Sequence, residues 1–190
     1  ETYIKPRLAA IDGEWTGFRP GAGAEESLPN ISEQDKYEQL MKEPSRSSKT
    51  TVLYLHGGAY YMCGFGTHRL QVSKLAKACN GRAFNVGYRL APQAAFPSQL
   101  FDALNAYLYL LYPPPGSLHE PVSASDIVFA GDSAGGNLVF ALLQLLLQLH
   151  RTKPSGAKNP TVRYHGKTVE VPLPAAVSYT HLTLPTNSRV

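Results

Sequence analysis

The stretch from residue 126 to residue 150, DIVFAGDSAGGNLVFALLQLLLQLH, constrains the fold of this chain more than any other. It begins with a short apolar run at residues 127–130, whose length and β-branched side chains are typical of a buried strand. It ends with residues 137–149, an almost wholly apolar run without Gly or Pro that predicts a buried helix. Between them, residues 131–135 (GDSAG) match the G-x-S-x-G pattern in the strand–turn–helix context that this pattern requires.

The two glycines of this pattern have a steric explanation. The turn holds its central residue, Ser133, in a strained backbone conformation, and a side chain at Gly131 or Gly135 would crowd the strand or the helix. Ser133 is therefore expected to present its hydroxyl at the carboxyl end of a parallel sheet, next to the amino end of a helix. This is the placement of a nucleophilic serine.

A second motif, HGGAY at residues 56–60, directly follows the predicted strand at residues 51–55. HGG loops after a strand supply backbone N–H groups to the oxyanion hole of α/β-hydrolases. Small residues are needed there because an amide must approach the substrate carbonyl oxygen to within about 3 Å. Two adjacent glycines also occur in ordinary tight turns, but the serine pattern downstream favours the oxyanion interpretation.

The order of the elements predicts an α/β fold. Strands and helices alternate along the chain, with strands at 51–55, 83–88 and 127–130 and helices at 67–79, 98–111 and 137–149. Such alternation is typical of a mostly parallel sheet with crossover helices.

Three other segments have local signals of their own. A helix is predicted over residues 31–42, with Ser32 near its start, and a β-hairpin over residues 161–171. Residues 174–176 are predicted to enter a further strand of the sheet. The helix at 67–79 is expected to bury one face, comprising Leu70, Ser73, Leu75 and Ala76.

Composition excludes several classes of protein. The 190 residues carry a formal charge of +4, but the basic residues of the 151–174 segment are scattered, which indicates a solvated face and no nucleic-acid site. The spacing of Cys63 and Cys79 indicates neither a disulfide framework nor a metal site. No apolar run reaches the about 18 residues of a membrane span. No signal peptide is recognised. Because the chain starts at Glu1 and not at a Met, the sequence does not determine the cellular compartment.

Three blocks together resemble the hormone-sensitive-lipase-like family of α/β-hydrolase carboxylesterases. HGGAYYMCGFGTHR looks like the family's HGGG block, YRLAPQAAFPSQLFDAL like its YRLAPE block, and FAGDSAGGNL like its serine elbow. The amino-acid sequence of residues 112–138 is most similar to that of fungal members of the family. The resemblance covers residues 15–176 and implies the amino-terminal half of an α/β-hydrolase fold, a partial hydrolase domain within residues 1–176.

The resemblance implies a site and a reaction. Ser133 would be the nucleophile, and the amides of Gly58, Ala59 and Ala134 would form the oxyanion hole, with Gly57 shaping the turn. Small-molecule carboxylic esters would be hydrolysed through an acyl-serine intermediate without metal or cofactor. Two alternatives share the fold: an amide hydrolase such as a formamidase, and a ligand-binding protein that has lost catalysis, as in plant hormone receptors.

The same reasoning does not identify the acid and the base of a catalytic triad. In α/β-hydrolases the order is Ser, then Asp or Glu, then His. Glu170 and His181 satisfy that order, but Glu170 lies in the hairpin segment, too soon after Ser133. The other four candidates have simpler interpretations at a helix end, in a turn or beside the HGG motif; they are His150, His165, His56 and His68.

The last fourteen residues, 177–190, offer an explanation. Residues 177–186 are the translation of GTC TCT TAT ACA CAT CTG ACG CTG CCG ACG, the DNA of a widely used transposase sequencing adapter. We therefore expect a hydrolase segment truncated after residue 176, without its triad acid and histidine and inactive as it stands. We also expect the sheet to be uncovered beside the strand at 127–130.

Overall fold

The computed structural model describes residues 9–21, 27, 29–43 and 46–180. Within these residues, one sheet contains five strands: β1 (Asp12–Thr16), β2 (Thr51–Leu55), β3 (Arg82–Gly87), β4 (Ile127–Asp132) and β7 (Ala176–Thr180). Their spatial order is β1-β3-β2-β4-β7, and every neighbouring pair is parallel except β1 with β3. The α/β fold with a mostly parallel sheet is confirmed.

The described helices are α1 (Glu33–Lys42), α2 (Arg69–Ala78), α3 (Ser98–Leu111) and α4 (Ala134–Thr152). Helix α1 begins where the sequence predicts, because the Ser32 hydroxyl accepts a hydrogen bond from Asp35 N at 3.1 Å. Helix α4 lays one face on the sheet, and Leu138, Val139 and Leu142 on that face are at most 2% exposed. Burial of this face accounts for the long apolar run in the sequence.

The prediction of which residues of α2 are buried is partly wrong. Leu70 is 61% exposed, whereas Val72 and Ala76 are buried, and Val72 packs with Tyr54 and Ala83 of the sheet. A 3₁₀ turn at Phe65–His68 precedes α2, so the helix proper begins only at Arg69. Val72 and Ala76 are four residues apart, so they lie on the same face of α2. In a helix that begins at Arg69, this face is the one turned toward the sheet.

The polar segment after α4 contains the predicted hairpin. Strands β5 (Thr161–Tyr164) and β6 (Lys167–Glu170) pair antiparallel, and the two residues between them, His165 and Gly166, both have positive φ. Positive φ at both central residues is the geometry that two-residue hairpin turns favour.

The expectation of an uncovered sheet beside β4 is wrong. Strand β7 pairs parallel with β4, placing Val177 opposite Phe129, and Ala175 N donates to Ile127 O at 2.9 Å just before the strand begins. Pairing of this kind uses backbone groups, so it requires only an extended segment without proline, which residues 176–180 provide. The adapter origin of residues 177–190 stays a prediction.

A buried histidine predicts how stability depends on pH. His119 is 4% exposed, contacts the Trp15 and Tyr109 rings, and has a pKa lowered to about 4, chiefly by burial. The unfolded chain binds this proton near pH 6.5, so stability is full above that pH and falls as the pH drops toward 4. We expect His119→Gln to reduce the loss of unfolding free energy between pH 7 and pH 4 by roughly 3 kcal/mol.

Urea unfolding at several pH values measures this difference. The exposed turn residue His165, changed to Gln, is the matched control and should leave the pH dependence unaltered. The burial of His56 also lowers its pKa, so the His119 variant should keep part of the slope. Equal pH dependence in His119→Gln and the parent would contradict the prediction.

Candidate active site

Ser133 lies on the turn between β4 and α4. Its side chain is exposed, and its backbone adopts φ 49° and ψ −119°, a conformation rare for any residue other than glycine. Strain of this kind costs about 1–3 kcal/mol and persists only where the surroundings hold it. The predicted strand–turn–helix geometry around Ser133 is therefore present.

The glycines on either side of Ser133 allow the turn to rest on β2. A Cβ at Gly131 would lie 2.7 Å from the Leu55 carbonyl oxygen. A Cβ at Gly135 would overlap that oxygen and lie 2.6 Å from the His56 carbonyl oxygen. Both positions are thus restricted to glycine by the backbone of the neighbouring strand.

The HGG loop, residues 56–60, leaves the carboxyl end of β2 beside this turn. Gly57 N donates to Asp132 Oδ1 at 2.9 Å, and the Tyr54 hydroxyl donates to the same oxygen at 2.7 Å. Asp132 precedes Ser133 directly, so its carboxylate joins the loop to the serine turn. The amide of Gly57 is used in this contact, which agrees with a role in shaping the turn.

Three other amides lie on the HGG loop and on the serine turn. The N–H groups of Gly58, Ala59 and Ala134 donate to no residue that the structure describes. Gly58 has φ 115°, and a Cβ there would overlap the Met62 carbonyl oxygen. Ala59 has φ 51°, a left-handed conformation that a Cβ tolerates at a cost of about 1–2 kcal/mol.

His56 of the HGG loop and the neighbouring His68 each have partners other than the Ser133 hydroxyl. His56 is buried, stacks on Tyr88 with ring centroids 4.4 Å apart, and approaches Gly57 O with Nδ1 at 2.7 Å. Its burial lowers its pKa, so it is neutral at pH 7. His68 Nε2 lies 3.5 Å from Asp132 Oδ1, and its Nδ1 pairs with the Thr67 hydroxyl.

The candidates after Ser133 are also placed away from it. His150 Nε2 pairs with Val171 O at 2.8 Å, His165 is in the hairpin turn, and Glu170 accepts from Asn159. His181 lies outside the described residues. Among the residues that the structure describes, none makes a hydrogen bond to the Ser133 hydroxyl.

Four contributors to the site were not predicted from the sequence: Tyr54, Tyr60, Asp132 and Asn137. The one available signal was Asp132, a carboxylate placed between a buried strand and Ser133. The role of the other three depends on contacts between distant segments, such as the hydrogen bond from the Tyr60 hydroxyl to Asn137 Oδ1 at 2.7 Å.

A parallel sheet with crossover helices, a strained serine turn after one strand and a glycine loop after its neighbour together define the α/β-hydrolase class. A family model described as alpha/beta hydrolase fold matches residues 52–166, and the chain belongs to this family. Within the described part of the chain, no helix combines the length and apolar character that a bilayer crossing needs.

Several similar proteins are named as esterases. A carboxylesterase/phospholipase of Mycobacterium tuberculosis, LipF, is 34% identical over 161 residues, covering 81% of this chain and 40% of LipF. The crystal structure of EstE5 soaked with ethyl alcohol is 29% identical with a TM-score of 0.55, covering 72% of this chain and 37% of EstE5. A crystal structure of an esterase from the bacterial hormone-sensitive lipase family is 27% identical with a TM-score of 0.52, covering 92% and 45%. The chain thus spans about two fifths of the curated relative's length.

Proposed function

We propose that the protein to which this chain belongs hydrolyses carboxylic esters through an acyl intermediate on Ser133. The observation that carries the proposal is the exposed, strained Ser133 beside the amides of Gly58, Ala59 and Ala134, which donate to no described residue. The esterase relatives support the same reaction class. The fungal affiliation indicated by the sequence stays a prediction.

The proposed mechanism assigns each group one task. The Ser133 oxygen attacks the ester carbonyl carbon and forms a tetrahedral intermediate, and a general base accepts its proton. The amides of Gly58, Ala59 and Ala134 bind the oxyanion, and the amino end of α4 adds the favourable field of the helix dipole. The alcohol then leaves with a proton, and water hydrolyses the acyl-serine.

The general base is proposed to lie outside residues 1–176. The described histidines have the partners given above and make no hydrogen bond to the Ser133 hydroxyl, and residues 177–186 match the translated adapter. The chain of 190 residues is accordingly proposed to hydrolyse esters very poorly. Without its base, a folded site would keep only the residual rate from the oxyanion hole and substrate binding, about 10³–10⁴-fold over water.

The test compares the natural protein that continues past residue 176 with the chain of 190 residues. We expect the longer protein to hydrolyse p-nitrophenyl butyrate at least about 100-fold faster than the shorter chain, because base catalysis alone contributes about 10²–10⁴-fold. The corresponding butyryl anilide, a matched amide, should be cleaved far more slowly by the longer protein.

Three other outcomes would change the proposal. Faster turnover of the anilide would indicate the amide hydrolase. Saturable ligand binding without turnover by the longer protein would indicate the non-catalytic alternative. Equal ester turnover by both proteins would mean that a histidine of the shorter chain acts as the base.

A further inference from the structure

The HGG loop is joined at its beginning to the residue before Ser133. Gly57 N donates to Asp132 Oδ1, which also accepts from the Tyr54 hydroxyl at 2.7 Å. Tyr54 belongs to the buried strand β2, so this anchor is fixed by the core of the sheet. This anchor at Asp132 holds the start of the loop. It does not reach the residue of the loop that follows Ala59.

The end of the loop is joined to the helix that follows Ser133. The Tyr60 hydroxyl donates to Asn137 Oδ1 at 2.7 Å. Asn137 lies in the first turn of α4, and its backbone N–H donates to the Ser133 carbonyl oxygen at 3.0 Å. Two successive hydrogen bonds therefore connect Tyr60 with the backbone of Ser133.

The conformation of the loop makes this second anchor necessary. Ala59 and Tyr60 have φ 51° and 65°, so two successive residues other than glycine are in the left-handed region. This conformation is unfavourable for a residue with a Cβ, and such a pair persists only where contacts hold it. The hydroxyl of Tyr60 is the side-chain group that ties this strained pair to α4.

The environment of Tyr60 keeps its hydroxyl protonated, so that the hydroxyl can always donate a hydrogen bond. Its ring packs against the Tyr88 ring, with centroids 6.3 Å apart, and its carbonyl oxygen accepts from Ala91 N at 2.8 Å. Burial raises the pKa of Tyr60 to about 12, so its hydroxyl keeps its proton throughout the neutral range. The hydrogen bond to Asn137 is therefore independent of pH there.

We propose that Tyr60 is a positioning residue, whose hydrogen bond to Asn137 holds the amides of Gly58 and Ala59 in place beside Ser133. This inference rests on the proposed function, because the two amides affect a rate only if they bind an oxyanion. A donor must lie within about 2.7–3.1 Å of the developing charge, so a small displacement of the loop weakens transition-state binding. Ground-state binding of the ester depends less on these amides, so the effect falls on kcat.

The kinetic test uses the natural protein that continues past residue 176. Tyr60→Phe removes only the hydroxyl and should lower kcat for p-nitrophenyl butyrate about 3- to 10-fold, with KM nearly unchanged. Asn137→Ala should do the same, and the double variant should lose no more than the larger single effect, because both remove one bond. Tyr61→Phe is the matched control, since Tyr61 is 58% exposed and its hydroxyl bonds to no described residue.

A second measurement does not require catalysis. In the chain of 190 residues, the amides of Tyr61 and Met62 donate to Gly58 O, so their hydrogen exchange reports on the loop. We expect Tyr60→Phe to accelerate exchange at both amides, while Tyr61→Phe leaves it unchanged. Exchange in the core strand β2 should be the same in all variants.

The outcomes separate the inference from the proposed function. Faster loop exchange together with a lower kcat supports the positioning role. Unchanged loop exchange, or an unchanged kcat in a protein that hydrolyses esters, overturns it, even if the melting temperature falls. If no variant of the longer protein hydrolyses an ester, the proposed function fails, and the exchange experiment alone decides whether Tyr60 holds the loop.

Discussion

Replacing Gly135 by alanine is expected to lower the free energy of unfolding by more than about 4 kcal/mol or to prevent folding. The new Cβ would overlap the Leu55 carbonyl oxygen and crowd that of His56, and both are backbone atoms. Leu55 cannot yield, because β2 is paired on both sides, with β3 and with β4. Either α4 moves off the sheet or the strained turn at Ser133 is lost.

Urea unfolding followed by circular dichroism measures this effect. Gly66→Ala is the matched control, since a Cβ at Gly66 has no neighbour within 4 Å among the described residues. It should change the free energy of unfolding by no more than about 0.5 kcal/mol. If the Gly135 variant and the parent unfolded at the same urea concentration, the turn would not pack on β2 as described.

Replacing Ser133 by alanine in the longer protein proposed above is expected to lower kcat for esters by at least about 10³-fold. The nucleophilic oxygen is then absent, and only the oxyanion hole and substrate binding contribute to the rate, as in other serine hydrolases stripped of a triad member. KM should change little, because replacing the hydroxyl by hydrogen adds no bulk that would obstruct the ester. The ester assay with p-nitrophenyl butyrate measures both constants.

Mass spectrometry gives an independent readout of the same prediction. A phosphonate that reacts with activated serines should label the parent protein on the peptide that contains Ser133, and should not label the alanine variant. Ser125→Ala is the control, because Ser125 is exposed and pairs with Ser123 at a distance from the turn. Full ester turnover by the Ser133 variant would remove the proposed nucleophile and with it the proposed mechanism.

Much of this site could be predicted because its signals are local. The strand at 51–55 and the helix at 98–111 coincide with β2 and α3, since each is marked by its own apolar residues and flanking turn residues. Ser133 was recognised because a nucleophile turn has nearly the same sequence in every protein that uses it. Glycines at 131 and 135 were explained by crowding, and the atoms that would be crowded are now identified as Leu55 O and His56 O.

The remaining features involve residues distant in the sequence. Tyr60 and Asn137 are 77 residues apart, and Gly57 and Asp132 are 75 apart, so no local pattern marks either pair. The pairing of β7 with β4 likewise depends on backbone groups, which carry no sequence signal. The outward position of Leu70 depends on where α2 begins and which face then meets the sheet.

The sequence by itself thus determined the class of fold, the position of Ser133 and the glycines that the turn requires. These depend on steric rules and apolar periodicity, which act over a few neighbouring residues. Only the tertiary structure decided how the HGG loop is held: at Gly57 by Asp132 and at Tyr60 by Asn137. The physical reason is that a hydrogen bond between two loops forms only after the sheet has placed β2 beside β4.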